Sequence, residues 1–151
     1  MSPPRPAEGF RLAVPIEVRF RDIDSMGHVN NAVYFTYFEN ARIAYWKVVP
    51  GIGSRREVDY ILARAECDFR SPARIEDLLS CHIRVAGFGR SSFAFEYLLR
   101  CETDGRAIAG GRTVQVLYDY AREASKPLDE PLRRAIEAFE GRAIPETRKG
   151  S

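Results

Sequence analysis

Residues 30–47 restrict the fold more than any other segment, because hydrophobic side chains extend nearly all around the helix that they predict. The side chains spaced for one helical face are Tyr34, Tyr37, Phe38, Ala41 and Tyr45. Those that widen this face on its flanks are Val33, Phe35, Ile43 and Trp46. Only a narrow stripe near Glu39 and Arg42 is polar, so we expect the rest of the chain to cover the helix.

The remaining sequence predicts strands that can supply this cover. Hydrophobic and polar side chains alternate over residues 14–20, 61–69, 79–85, 93–101 and 114–120. Residues 87–90 and 103–106 have the composition of turns, and a Gly110-Gly111 pair predicts a bulge or sharp curvature. Residues 50–53 are expected to end the first helix, and residues 131–139 predict a second, short one.

This order predicts an α+β fold in which a curved antiparallel sheet wraps around one long central helix. We expect a flexible tail at residues 1–9, one domain at residues 10–140 and a polar C-terminal tail at residues 141–151. The outer face of the sheet mixes apolar side chains with charges, which favours a partner subunit there. The apolar members are Leu62, Leu78, Ala94 and Leu98.

Composition narrows the range of partners and cellular locations that we expect for the protein. The 151 residues carry a net charge of +2, too small to favour nucleic acid or a membrane surface as a partner. No apolar run reaches the length of a membrane span, and the first residues do not read as a signal peptide. The three cysteines lie far apart and form no CxxC pair, which indicates a reducing, cytoplasmic location without disulfides or a zinc site.

The densest polar cluster comprises Asp22, Asp24, His28, Asn30 and Asn31, between the first strand and the helix. In a structural interpretation the aspartates shape a turn, Gly27 supplies a positive φ, and the asparagines cap the helix.

A functional interpretation uses the same placement. Unpaired N–H groups at a helix start polarise a carbonyl and stabilise an oxyanion, and the Asp24 carboxylate lies close enough to attack that carbonyl or activate water. No GxSxG nucleophile motif and no metal-ligand spacing competes with this hydrolytic chemistry.

The stretch from Arg19 to Phe35, with Asp-x-Asp-x-x-Gly-His-Val-Asn-Asn at its centre, resembles the 4-hydroxybenzoyl-CoA thioesterase-like family of the hotdog fold. The resemblance continues through residues 39–42 and fits the strand pattern at residues 68–73, 92–97 and 113–116. It covers roughly residues 13–139.

The resemblance implies a hotdog-fold acyl-CoA thioesterase that forms a homodimer or a homotetramer built as a dimer of dimers. It implies no metal and no cofactor other than the coenzyme A of the substrate. Asp24 matches the family's catalytic carboxylate, as nucleophile or general base, and the Asn31 N–H matches the group that faces the thioester oxygen. Arg90 matches a place where relatives present basic residues to coenzyme A phosphates.

Other roles stay open at this point. His28 either hydrogen-bonds the substrate carbonyl or the attacking water, or braces the loop. Asp22 is interpreted as a loop brace or a partner of Arg19 or Arg21, and Glu39 as a bystander paired with Arg42. The alternatives are an enoyl-CoA hydratase, a carrier-protein thioesterase and a non-catalytic acyl-CoA binding protein. The acyl group is not predicted.

Overall fold

The computed structural model describes residues 3–49 and 58–147, so the predicted helix end at residues 50–53 lies outside the described residues. The elements are β1 (Leu12–Ile16), α1 (Val33–Val48), β2 (Tyr60–Phe69), β3 (Leu79–Phe88), β4 (Ser92–Cys101), β5 (Ala107–Asp119), β6 (Ala124–Ser125) and α2 (Glu130–Glu140). The predicted order of strand, helix, four strands and short helix is confirmed, and β6 is a short addition that pairs with β5.

The strands form one curved antiparallel sheet in the order β1-β3-β4-β5-β2. The fold class is therefore α+β, as predicted. The central strands are almost wholly buried on the face towards α1, whereas most side chains of β2 are exposed at the edge of the sheet. This edge is where a further strand can add.

Helix α1 packs one face against the sheet. Its buried side chains are Tyr34, Tyr37, Phe38, Ala41, Arg42 and Tyr45. The Phe38 ring stacks on Tyr97 of β4 with ring centroids 4.3 Å apart. Phe35 and Ile43, on the opposite side, are 37% and 50% exposed. A single chain therefore covers one side of the helix, and does not bury it nearly all round.

The Gly110-Gly111 pair does not form the predicted bulge. Strands β2 and β5 pair without a register shift from Cys67 opposite Gly111 to Phe69 opposite Ala109. A Cβ at Gly111 would collide with the Phe38 ring. The missing side chain thus serves helix-to-sheet packing rather than a break in the strand.

The predicted ion pair between Glu39 and Arg42 is wrong. Arg42 is only 7% exposed, and its Nη1 donates a hydrogen bond to the Tyr97 hydroxyl over 3.1 Å. That hydroxyl also bonds Thr113 Oγ1 within the sheet. The buried Tyr97 hydroxyl pairs with the guanidinium away from solvent, and Glu39, one turn earlier on the helix, is exposed.

Strand β1 is shorter than its alternation predicts. It ends at Ile16, and Phe20 lies in a 3-10 turn, 89% exposed, instead of continuing the apolar face. The Asp22 carboxylate accepts a hydrogen bond from the Arg19 N–H, which closes the turn at this point.

Both terminal segments lie against the sheet. The Ala7 N–H donates to His82 Nδ1 over 3.0 Å, and the Thr147 N–H donates to the Phe88 carbonyl over 2.7 Å. The predicted division of the chain into one domain and two tails stays a prediction. Neither helix of the described ranges is long and apolar enough to cross a membrane.

Candidate functional site

The loop between β1 and α1 is a tight, hydrogen-bonded turn. Ile23 and Val29 pair across its base, and the Asp24 N–H donates to the His28 carbonyl over 2.8 Å. Gly27, at φ +80°, allows the chain to reverse. The predicted role of Gly27 is confirmed, and the backbone of the turn is fixed independently of any ligand.

Asp24 has one occupied and one free carboxylate oxygen. Its Oδ1 accepts hydrogen bonds from the N–H groups of Met26 (2.9 Å) and His28 (3.3 Å). Among the described residues, no donor contacts Oδ2. Asp24 therefore stabilises the turn through Oδ1, and its Oδ2 remains available for chemistry.

Asp22 has a different environment although it is two residues away. It is buried, and its Oδ2 accepts from the Arg19 N–H and, over 2.7 Å, from the Tyr37 hydroxyl of α1. Burial, reinforced by the Asp22 carboxylate, raises the pKa of Tyr37, so that hydroxyl stays protonated as a donor. Asp22 braces the loop against the helix, as predicted, through the Tyr37 hydroxyl. Its contact with Arg19 is made to the backbone N–H and not to the guanidinium.

The Asn31 N–H lies at the entry to α1. The predicted capping of the helix by an asparagine side chain is wrong, because the N-cap residue is Ala32. Asn30 instead shapes the turn before the helix: its carbonyl accepts from the Val33 N–H and its Oδ1 from the Ala32 N–H, each over 2.9 Å. The helix begins at Val33, two or three residues later than the start at Asn30 or Asn31 that the sequence predicts. Within the described ranges the Asn31 N–H makes no hydrogen bond. It remains free beside the partial positive end of the helix.

Asp24, His28 and Asn31 meet around one cleft of about 270 Å³. The cleft is lined by Asp24, His28, Val29, Asn31, Tyr34, Phe69, Arg70, Ser71 and Pro72. The structure thus brings together three of the four residues that the sequence singled out. Burial raises the pKa of Tyr34, which keeps this cleft-lining hydroxyl neutral.

Arg90 lies elsewhere. It is exposed in the turn between β3 and β4, beside the Tyr60 end of β2, whereas the cleft lies at the Phe69 end. The ten residues of β2 separate these ends by about 30 Å. One chain alone does not bring Arg90 to Asp24, and its binding role stays a prediction.

The wall formed by residues 69–72 is the part of the cleft that sequence reasoning did not identify. These residues follow β2 and pack beside the Asp24 turn, where the Val29 N–H donates to the Ala73 carbonyl over 2.8 Å. Pro72 after an alternating run marks the end of a strand. Nothing in the local pattern shows that this end meets a loop more than forty residues earlier.

The donor set does not resemble a metal site. In the parts of the chain that the structure describes, no three His, Cys, Asp or Glu side chains are grouped as metal ligands would be. The cleft instead combines one carboxylate, one imidazole and a helix-start N–H, which are groups suited to acyl transfer and proton transfer.

Solved structures share this architecture. A thioesterase from Thermus thermophilus, crystallised with coenzyme A and Zn, matches with a TM-score of 0.81 and 37% identity, covering 91% of this chain and 100% of that one. The PA5185 protein of Pseudomonas aeruginosa strain PAO1 matches with a TM-score of 0.77 and 28% identity, covering 95% and 100%.

Sequence relatives agree with the structures. YsmA of Bacillus subtilis (strain 168) is 30% identical over 89 residues, which span 59% of this chain and 60% of YsmA. The long-chain acyl-CoA thioesterase FadM of Escherichia coli (strain K12) is 24% identical over 131 residues, 83% of this chain and 97% of FadM. A sequence model of the Thioesterase-like superfamily matches residues 18–136. Because this match covers most of the chain, the predicted family is confirmed: the protein belongs to the Thioesterase-like superfamily.

Proposed function

We propose that the protein is a hotdog-fold thioesterase that hydrolyses an acyl-CoA to the free acid and coenzyme A. One observation carries the proposal: Asp24, with Oδ2 free, and the unbonded Asn31 N–H line the same cleft at a helix start. The thioester oxygen accepts a hydrogen bond from the Asn31 N–H, and the helix dipole favours the negative charge that develops there.

Asp24 acts from the other side of the carbonyl carbon in one of two ways. As a nucleophile, Oδ2 adds to the carbonyl and expels the coenzyme A thiolate, and water then hydrolyses the acyl-aspartyl anhydride. As a general base, Asp24 takes a proton from water, and the resulting hydroxide adds to the carbonyl before the thiolate leaves. Trapping an acyl-aspartyl intermediate favours the first route. Solvent oxygen labelling in a single turnover that never reaches the enzyme favours the second.

His28 is another side chain of the cleft that can take part in proton transfer. No side-chain hydrogen bond of His28 is found in the described ranges, whereas its backbone is held by Asp24 on both sides. The backbone thus fixes the turn, and the imidazole is left to contact the substrate carbonyl or the attacking water.

A second copy of the chain would complete the substrate site. The exposed edge of β2 carries Ile61, Leu62 and Phe69, each exposed by 41–48%. Antiparallel pairing of two β2 edges places the Tyr60 end of one chain beside the Phe69 end of the other. The Arg90 turn of the second copy then approaches the Asp24 cleft, where a guanidinium can bind a coenzyme A phosphate. Sedimentation equilibrium tests the homodimer, or the homotetramer formed from two of them.

Relatives, more than the cleft alone, support the proposed substrate class. A relative crystallised with coenzyme A and the long-chain specificity in the name of FadM support an acyl-CoA, while a carrier-protein thioester offers the same reacting bond. We propose that the reaction needs no cofactor beyond the coenzyme A of the substrate, and that the protein works in the cytoplasm.

Thiol release from a panel of acyl-CoAs tests the function. The panel contains short, medium and long aliphatic chains, benzoyl-CoA and 4-hydroxybenzoyl-CoA, and the variants are Asp24→Asn and Glu39→Gln. Turnover of one class that is lost in Asp24→Asn and kept in Glu39→Gln supports the proposal and names the acyl group. A folded wild type that releases no thiol from any member refutes it.

Two outcomes would redirect the assignment. Asp24 and His28 on one cleft also suit addition of water to an enoyl-CoA, so hydration of crotonyl-CoA without thiol release indicates a hydratase. Saturable binding of acyl-CoA without any turnover, insensitive to Asp24→Asn, indicates a binding protein.

A further inference from the structure

We propose that Arg106 is a positioning residue: it holds the loop of residues 70–77, and through that loop the turn that carries Asp24 and His28. This inference rests on the proposed hydrolysis for its kinetic part. Its structural part concerns the geometry of the turn and stands without it.

The guanidinium of Arg106 ties the hairpin between β4 and β5 to the loop. Its Nη2 donates to the Pro72 carbonyl over 3.3 Å and to Asp77 Oδ2 over 3.0 Å. Its Nη1 donates to Asp104 Oδ2 over 2.9 Å. This bond fixes the orientation of the guanidinium from within the hairpin that carries Arg106. The Pro72 backbone is thus held from outside the cleft that it lines.

The loop in turn holds the candidate catalytic turn. The carbonyl of Ala73, the residue after Pro72, accepts the hydrogen bond from the Val29 N–H over 2.8 Å. Ala73 and Val29 are 0% and 2% exposed, so water does not replace this bond. Val29 follows His28 directly and pairs with Ile23, which precedes Asp24. A shift of the loop therefore displaces both ends of the turn.

The fork geometry of arginine is what this connection uses. Three acceptors, a carbonyl and two carboxylates, surround one planar group, and an ammonium cannot reach all of them with the same directions. Arg106 Nε is buried and has no hydrogen-bond partner in the described part of the chain. The side chain is thus oriented by its two terminal nitrogens alone.

Kinetics of three variants test the positioning role. We expect Arg106→Ala to lower kcat by about tenfold to 10²-fold, because small misplacements of reacting groups have effects of this size, while KM changes by less than about threefold. Arg106→Lys, which keeps the charge, should recover only part of kcat. Arg100→Gln is the matched control: Arg100, near the end of β4, pairs with Glu102 at the start of the same hairpin, and its side-chain bonds among the described residues do not include loop 70–77.

Hydrogen exchange at the Val29 amide tests the structural part in the absence of substrate. We expect faster exchange in Arg106→Ala than in wild type and Arg100→Gln, with unchanged exchange in the central strands. If Arg106→Ala does not fold, Asp77→Asn, which weakens the same contact, is measured in its place.

Unchanged exchange at Val29, or an unchanged kcat in a variant with faster exchange, overturns the positioning role. An inactive wild type with accelerated Val29 exchange in the variant instead refutes the proposed hydrolysis and leaves the structural connection intact.

Discussion

The protein has two histidines, and each sits beside a carboxylate in a polar cluster, yet the clusters differ in every property that matters for chemistry. His28 is half-buried at the cleft, next to an Asp24 oxygen without a partner among the described residues. His82 is 0% exposed on the outer face of the sheet, beneath the N-terminal segment.

Both ring nitrogens of His82 and the Ser80 hydroxyl are hydrogen-bonded to other groups of the protein. Its Nδ1 accepts from the Ala7 N–H, so Nε2 carries the proton and donates to Ser80 Oγ over 3.0 Å. The Ser80 hydroxyl donates to Glu102 Oε2 over 2.6 Å. A serine, a histidine and an acid lie together here, as in the catalytic triad of a hydrolase. The protons of the imidazole and of the serine hydroxyl are, however, already donated to other groups of the protein. Reactivity therefore requires a polar atom without a hydrogen-bond partner at a cavity, and not the residue types alone.

The largest effect on activity is expected at Asp24. Asp24→Asn keeps an oxygen for the turn and removes the charge, so we expect kcat to fall by about 10²–10⁴-fold with little change in Tm. Glu39→Gln removes an exposed carboxylate from α1 and should leave kcat unchanged. Equal losses in both variants would show that the Asp24 oxygen has no special role.

The second effect concerns stability at the closed cluster. Burial, followed by the nearby Arg100 charge, lowers the pKa of His82 from 6.5 to about 4. Between these values the unfolded chain binds the extra proton and the folded chain does not. The free energy of unfolding should therefore fall as the pH falls from 6.5 to 4, by about 1–3 kcal/mol, with the full contribution present above pH 6.5.

Urea unfolding of wild type and His82→Asn at several pH values measures this contribution. The difference between the two proteins isolates the contribution of His82 from those of the other titratable groups. A difference that does not depend on pH would show that His82 titrates normally in the folded protein.

A smaller effect is expected at the open cluster. His28→Ala should lower kcat/KM by about tenfold and leave Tm within about 2 °C of wild type, because its imidazole has no structural hydrogen bond among the described residues. His82→Ala, the matched variant, should show the reverse: a lower Tm and a preserved kcat. Loss of stability without loss of activity in His28→Ala would assign His28 to the turn alone.

The smallest effect is expected for metal removal. Prolonged dialysis against EDTA should leave thiol release unchanged, since the cleft combines a carboxylate, an imidazole and an N–H group rather than a metal-ligand set. The assay is repeated after addition of Zn²⁺. Activity that is lost on dialysis and returns with Zn²⁺ would contradict the proposed cofactor-free reaction.

Local patterns predicted much of the fold. Period-two alternation located β2, β3 and β4 to within a few residues, since it records which face of a strand is buried. The same rule failed at Phe20, which lies beyond the strand in a turn that the Asp22 carboxylate closes by accepting a hydrogen bond from the Arg19 N–H. It also misread Arg42, because helical spacing places a residue on a face but does not show that Tyr97 lies behind it.

The candidate site likewise has one part that local sequence patterns predict and one part that they do not. The spacing of Asp24, His28 and Asn31 along one turn places them together without any tertiary information, because the three lie within eight consecutive residues. The wall at residues 69–72 and the support from Arg106 come from segments far along the chain. Their approach depends on strand pairing, which no local pattern records.

Short-range patterns therefore predicted most of the elements, the family and the turn that carries the candidate catalytic groups, because these depend on neighbours within a few residues. Which polar atoms are hydrogen-bonded and which are free depends instead on the packing of distant segments. Ala7 and His82 are 75 residues apart and close one cluster, whereas no such long-range donor reaches Asp24 Oδ2 within the described residues. That difference arises from where distant segments pack, and it separates a buried structural histidine from a candidate active site.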